Sequence, residues 1–308
     1  MMKRREFIRK SVGAGIVGSA LTFTGYNKLF GSAVSDSESP YDLVAVRGGE
    51  PDIMFDRAID ALGGLERFIK KGQTVVLKPN MSWDVPPERG ANTHPGLMSH
   101  IVKKCLEAGA SRVYAFDNTC DNWVRSYRNS GVEDAVNDAG GRVLPANTED
   151  YFKEVEVEKG KRLTRAKVHE LLLDSDVYIN IPVLKHHGAT GITITLKNLM
   201  GVVWDRRYWH NNDLQQCIAD FGTWYRKPDL NIVDAYRVMM RNGPRGVSVD
   251  DLVEMKALIA STDMVAADAA SASLFGTEPS EVGHIKIAHE MGVGNMNLEE
   301  LSIHRISV

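Results

Sequence analysis

From about Tyr41 onward, short runs of consecutive apolar residues alternate with stretches in which apolar positions recur every three or four residues. The run at 74–77 predicts a buried strand ended by Lys78-Pro79-Asn80, and a loop rich in proline and glycine follows as far as Pro95. Leu97, Met98, Ile101, Val102, Cys105 and Leu106 then repeat at helical spacing, with Pro95 suited to the first turn and Gly109 to the end. A strand is predicted over 112–116, stopping at Asp117-Asn118. A helix over about 131–139 and a strand near 142–144 come next. Residues 153–157 alternate charged with apolar side chains, as an edge strand does, and 164–173 read as helical.

The second half continues the alternation. A buried strand is predicted over 177–183, stopping before Lys185-His186-His187. Residues 192–196 fit a strand or a helix start, and periodicity does not separate the two. Helices are predicted over 214–224, 264–275 (closed by Gly276) and about 280–291, with strands over 230–233 and 256–260. Helices alternating with short, doubly apolar strands indicate an α/β fold: one large domain over 41–308 with a mostly parallel sheet covered by helices on both faces.

The N-terminus has a different character. Lys3-Arg4-Arg5-Glu6-Phe7-Ile8-Arg9-Lys10 sets an arginine pair before an apolar pair, a glycine-rich apolar run spans 12–25, and Gly31-Ser32-Ala33 offers small residues to a signal peptidase. This is the plan of a twin-arginine signal over 1–33, with 34–40 as a polar linker. It predicts export of the folded chain by the twin-arginine machinery to the periplasm or another extracytoplasmic space. The apolar run is shorter than the roughly 20 residues a bilayer span needs, so no stable span is expected in the mature form. An uncleaved anchor is the competing reading.

Composition narrows the partners. The 308 residues are 43% hydrophobic and 25% charged, and the net charge of -3 gives no reason to expect nucleic acid as a partner. Cys105, Cys120 and Cys217 lie far apart without a C-x-x-C pair, which argues against an iron–sulfur cluster built by this chain. No G-x-G-x-x-G, P-loop or G-x-S-x-G motif is present, so nucleotide hydrolysis and serine-hydrolase chemistry lack support.

The candidate chemistry follows a rule of position. Predicted strands are succeeded by Lys78 and Asn80, by Asp117 and Asn118, by Lys185 and His187, by Asp234 and by Asp263. In open parallel sheets the carboxyl ends of the strands share one edge, where ligands bind. Lysines beside Asn198, Gly191 and Gly201 suit an anion, and a buried lysine can act as a base. The expected roles are Lys185, His187, Lys197 and His210 in catalysis, and Lys78, Asn80, Asn118, Asn198 and Arg206 in holding a small anionic ligand. His94, Asp117, Asp234 and Asp263 would bind a divalent metal such as iron or zinc. For each the plain alternative stands: exposed lysines, loop-capping histidines, His94 as a helix-start residue. Asp268, set among alanines on an apolar helix, calls for a partner, either a structural hydrogen bond or a ligand.

These residues also resemble a known family. The ordered series Lys78-Pro79-Asn80, Thr93-His94-Pro95, Asp117, Asn180-x-Pro182-x-x-Lys185-x-His187, Thr195-x-Lys197-Asn198-x-x-Gly201, His210, Asp234, Gly243-Pro244-x-Gly246 and Asp263-x-x-x-x-Asp268 is similar to the domain of unknown function 362, over about 72–292. The resemblance implies an α/β domain carrying its polar signature at strand ends. Some relatives hold a ferredoxin-like insert with two iron–sulfur clusters, from which this chain departs; exported members carry twin-arginine leaders. Two functions are expected to compete: an exported enzyme acting on a small anion by cofactor-assisted redox or proton-transfer chemistry, and a non-catalytic protein that captures an anion or metal complex.

Overall fold

The computed structural model describes residues 29–30 and 41–308. The signal over 1–33 and the linker over 34–40 fall outside the described residues, apart from 29–30.

The chain enters through β1 (Leu43–Arg47) and α1 (Pro51–Ala61), then runs β2 (Thr74–Pro79), α2 (Pro95–Glu107), β3 (Arg112–Ala115), α3 (Trp123–Asn129), α4 (Val132–Asp138) and β4 (Arg142–Val143). A hairpin of β5 (Phe152–Glu156) and β6 (Arg165–His169) follows, then α5 (Glu170–Asp174), β7 (Val177–Ile181), β8 (Val183–His187) and β9 (Gly191–Thr193). The remainder is α6 (Thr195–Asn198), α7 (Arg206–Asn211), α8 (Leu214–Gly222), β10 (Leu230–Met239), β11 (Leu252–Ser261), α9 (Met264–Phe275), α10 (Gly283–Glu290) and β12 (Ile303–Ser307).

Eight strands lie in the order β12-β1-β11-β10-β7-β2-β3-β4, with β8 and β9 attached beside β10. The block β10-β7-β2-β3-β4 is parallel throughout; β11 runs antiparallel to both neighbours. The sheet is therefore mixed but mostly parallel, as the apolar runs predict. From β2 the chain moves outward to β3 and β4, then returns to β7 on the other side of β2. That reversal opens a crevice at the carboxyl ends of β2 and β7, the place where such sheets bind ligands.

Period-2 alternation divides the strand side chains between two cores. Val75 and Leu77 face α1 and α2 along with Ile179 and Ile181, whereas Val76 and Tyr178 face the side covered by α8 and α9. The helix α9 is buried nearly throughout, so its apolar surface is not confined to one stripe.

Three expectations need correction. Residues 165–169 are strand, not helix: Ala166 and Val168 turn inward while Arg165 faces out, a period of two that outweighs the helical look of 164–173. The edge strand expected over 153–157 is β5, paired with β6 in a two-stranded sheet of its own. The strand expected over 177–183 breaks at Pro182, which has no N–H for the ladder, and resumes as β8, so Lys185 and His187 lie within a strand rather than after one. The strand expected over 230–233 runs on to Met239, which places Asp234 mid-strand. The ambiguous 192–196 is both things in turn, the end of β9 and the start of α6.

The loop after β10 returns toward the crevice because Asp251 gathers it. Its carboxylate accepts from Arg241 Nε at 3.1 Å, Asn242 Nδ2 at 2.7 Å, Val247 N at 2.8 Å and Ser248 N at 3.0 Å. Burial pushes this carboxyl up, but the hydrogen bonds outweigh it and hold the group at about 2. A folded value below the unfolded 3.8 stabilises the protein above about pH 4, and that stabilisation is lost as pH falls toward 2. The urea stability gap between wild type and Asp251→Asn is therefore expected to narrow over that window; a gap that does not change with pH refutes the assignment.

Candidate functional site

The site rests on a row of buried polar residues crossing four strands on one face of the sheet. Lys78 of β2 pairs in register with Asn180 of β7, Asn180 with Asn231 of β10, and Asn231 with Ser261 of β11. All four are fully buried. The amides link them: Asn180 Nδ2 donates to Asn231 Oδ1 at 3.1 Å, and Asn231 Nδ2 to the Ser261 carbonyl at 3.2 Å. Buried polar groups persist where partners satisfy them, and this row satisfies its own members.

At the end of the row Lys78 Nζ meets Asp117 Oδ1 at 2.9 Å, joining the ends of β2 and β3. The other carboxylate oxygen accepts from Met81 N at 2.9 Å and Ser82 Oγ at 2.7 Å. Burial lowers the Lys78 pKa, and Asp117 partly restores it. Gly201 lies against this pair: a Cβ there would overlap Asp117 Oδ1 and stand 2.7 Å from Lys78 Nζ.

The short helix α6 delivers Lys197 and Asn198. Asp268 on α9 holds its first turn, accepting from Thr195 N at 2.7 Å, Leu196 N at 3.1 Å and the Thr195 hydroxyl. The partner that Asp268 demands on its apolar helix is thus the backbone of α6, although burial still pushes its carboxyl up to about 7. Asn198 then donates to the Lys78 carbonyl at 3.1 Å and to Asn180 Oδ1 at 2.8 Å, which locks α6 over the polar row.

Between these parts lies a polar cavity of about 50 Å³. Asn80, Asp117, Lys185, His187, Lys197, Asn198 and Arg206 all line it. Lys185 is 1% exposed; its Nζ donates to the Ala91 carbonyl and to Asn80 Oδ1 at 3.3 Å, and stands 5.8 Å from the Trp83 ring centre. Burial brings its pKa down to about 7 and that of Lys197 to about 8. Burial first, and then the neighbouring lysines, take His187 down to about 3. Its Nδ1 accepts from Ala189 N at 3.1 Å, so the neutral ring carries its proton on Nε2. Arg206 donates to the carbonyls of Asn118 at 2.8 Å and Thr119 at 2.6 Å. Among the described residues Lys197 Nζ has no hydrogen-bond partner, and neither does the buried Thr193 hydroxyl, which also lines the cavity.

Other predicted residues fall elsewhere. The Asn118 amide is spent on the Val203 carbonyl at 2.7 Å, beside the cavity rather than in it. His210 is exposed and does not line the cavity, although its charge acts on His187. His94 is the N-cap of α2, its Nδ1 accepting from Gly96 N at 3.1 Å. Asp234 accepts from His94 N at 2.8 Å and Tyr236 N at 3.0 Å. Asp263 caps α9 through Val265 N and Ala266 N and also accepts from Asn295 N. With those lone pairs committed to backbone N–H groups, and Asp117 engaged by Lys78, the set His94, Asp117, Asp234 and Asp263 does not fit a metal. Among the described residues no group of three or more His, Cys, Asp or Glu could hold one.

Ser82, Trp83, Cys120 and Thr193 line the cavity without having been singled out from the sequence. Ser82 and Cys120 each lie two or three residues beyond a flagged strand end, so widening each window by three positions finds them. A larger open cleft of about 860 Å³ adjoins at Arg206, walled by the β5–β6 hairpin and α7. Its charges include the exposed pairs Lys167–Glu149 and Arg165–Glu154.

The arrangement is that of an α/β protein with a lysine-lined polar cavity at the turning point of its sheet. Residues 75–273 match the family described as Domain of unknown function (DUF362), and the chain belongs to that family. A thylakoid-associated protein of Synechocystis sp. is 26% identical over 251 residues, covering 76% of this chain and 73% of that protein. Among solved structures, the lactate racemase apoprotein of Thermoanaerobacterium thermosaccharolyticum aligns with a TM-score of 0.45 and 12% identity, over 84% of this chain and 59% of that one. A Thermotoga maritima protein aligns at 0.46 and 12%, over 79% and 60%. The chain thus spans about three fifths of either solved structure. Among the described residues no helix is long and apolar enough to cross a membrane.

The Gly201 contact gives a direct test. Gly201→Ala is expected to cost about 3 kcal/mol or more, because the methyl group must displace one member of a buried ion pair. Urea unfolding measures it, and a loss under about 1 kcal/mol would show that the pair is not rigidly held.

Proposed function

We propose that the chain is an enzyme that binds a small anion in the cavity between Lys185 and Lys197 and moves a proton on it. The observation that carries this reading is a charge imbalance. Lys185, Lys197 and Arg206 all line the cavity, while the carboxylate there, Asp117, is already paired with Lys78. A carboxylate or another small oxyanion is what such a site lacks.

The roles divide by chemistry. Lys197 and Thr193 have free donors and hold the anion. His187, neutral at physiological pH, offers its Nε2 proton as a further donor. Lys185, at about 7, populates both its protonated and neutral forms near neutrality, which is what a group that exchanges protons with substrate requires. Of the redox and proton-transfer chemistries open to an anion-handling enzyme, proton transfer is the one these side chains supply themselves. The reading sets this activity outside the cytoplasm, on the strength of the Arg4-Arg5 leader. A carrier would use the same cations but has no use for an amine near pH 7.

The pH dependence follows from the lowered lysine values. Between about pH 7 and 10 the unfolded chain binds more protons at these lysines than the folded one, so their contribution to stability rises with pH. A bound anion reverses the preference by favouring the charged amines, so binding takes up protons. Calorimetric titration with acetate and sulfate, both ionised throughout, is expected to show affinity falling about tenfold or more between roughly pH 6.5 and 9. Lys185→Met and Lys197→Met should each lose binding without losing urea stability, since an apolar side chain removes a buried amine. Affinity that is flat with pH, or intact in both variants, overturns the anion site.

Catalysis is tested separately from binding. Small carboxylates incubated with the protein in D2O are expected to gain deuterium at the carbon next to the carboxylate, detected by NMR, and Lys185→Met should abolish it. An anion that binds without any exchange turns the reading to a capture protein.

A further inference from the structure

Cys120 takes no part in the reading above. It is free and exposed, and it lines the same cavity as Lys185 and Lys197. Arg206 Nη1, already fixed by its sister bonds to the Asn118 and Thr119 carbonyls, donates to Cys120 Sγ at 3.5 Å. The other two cysteines are buried away from the site, and burial pushes them up to about 12 for Cys105 and about 11 for Cys217. A second observation points to a ligand in this cavity. Thr193, 4% exposed, lines the cavity and its hydroxyl has no hydrogen-bond partner among the described residues.

We propose that Cys120 is a modification site selective for small anionic electrophiles, whose charge is held by Lys197, Thr193 and Lys185 while the sulfur attacks. This rests on the anion site proposed above. The distinction from an ordinary surface thiol lies in placement. The anionic reagent is concentrated by cations that line the wall bearing the nucleophile, so reaction at Cys120 draws on binding that a neutral reagent of the same size does not share. With iodoacetate the step balances simply. The Cys120 thiolate forms a C–S bond at the methylene carbon, the C–I bond breaks, and iodide leaves with its electron pair. The thiol proton passes to solvent beforehand. Natural modifiers of the same class are small carboxylates with a leaving group, or an electron-poor double bond, next to the carboxylate.

The experiment is alkylation of the intact protein by iodoacetate and by iodoacetamide near pH 7, read as rates of mass gain on the Cys120 peptide. Cys105 and Cys217 serve as internal controls, and Cys120→Ser confirms the site. Iodoacetate is expected to react about tenfold faster than iodoacetamide, with the preference shrinking in added sulfate or salt and in Lys197→Met. Cys120 reacting equally with both reagents, or faster with the neutral one, overturns the inference. Acetate titration run in parallel separates the two failures. Acetate binding with no iodoacetate preference removes the role of Cys120 and leaves the anion site standing. No acetate binding and no preference removes both.

Discussion

The buried pair Lys78–Asp117 constrains the rest of the site. Each charge, taken alone into that interior, would cost several kcal/mol. Their contact at 2.9 Å is tolerable because the surroundings were arranged around it: Met81 N and Ser82 Oγ complete Asp117, and the Pro79 carbonyl and Asn198 Oδ1 complete Lys78. Those partners belong to the loop after β2 and to α6, so satisfying one ion pair fixes two segments far apart in sequence. It also requires Gly201, since no side chain fits beside the pair. Because Asp117 is paired with Lys78, it offsets Lys185 and Lys197 only in part. The positive character of the cavity is thus a consequence of the pair that supports it.

The sheet was legible in the sequence because its central strands are buried and read as unbroken apolar runs; 74–77 and 112–116 needed nothing more. What misled was interruption and continuation. Pro182 breaks a ladder without ending the strand direction, so Lys185 is a strand residue whose burial comes from the loop that brings Ala91 over it. The extension of β10 past Asp234 is equally hidden, because a buried aspartate resembles a strand end until its backbone partners are known. The strand β6 was hidden for another reason: five residues of period two inside a charged stretch mimic a helix face when the partner strand is unknown.

The same limit separates the residues that reached the cavity from those that did not. Position after a strand selected Asn80 and Asp117, which meet in the cavity because parallel strands deliver their ends to one rim. It equally selected Asp263, and the metal reading added His94; both stand at helix starts and satisfy N–H groups that no helix can satisfy internally. A carboxylate that caps a helix and one that faces a ligand have the same sequence surroundings. They differ in whether their oxygens are already occupied, and that is a property of tertiary contacts alone.

The use of amides rather than further charges between the lysines has a physical logic. Asn80 stands between Lys185 and Asn198, accepting from the first and donating to the second, while Asn198 bridges Asn80, Lys78 and Asn180. An amide donates and accepts at once, so it can join two cations through hydrogen bonds without neutralising either. A carboxylate in place of Asn80 would satisfy Lys185 more strongly, raise its pKa and leave it a permanently charged structural group, as Asp117 has done to a degree with Lys78. The asparagines therefore allow burial to lower Lys185 while its own ammonium keeps hydrogen-bond partners. Burial lowers both Lys78 and Lys185, but Lys78 bonds an acid directly whereas Lys185 bonds an amide and a carbonyl.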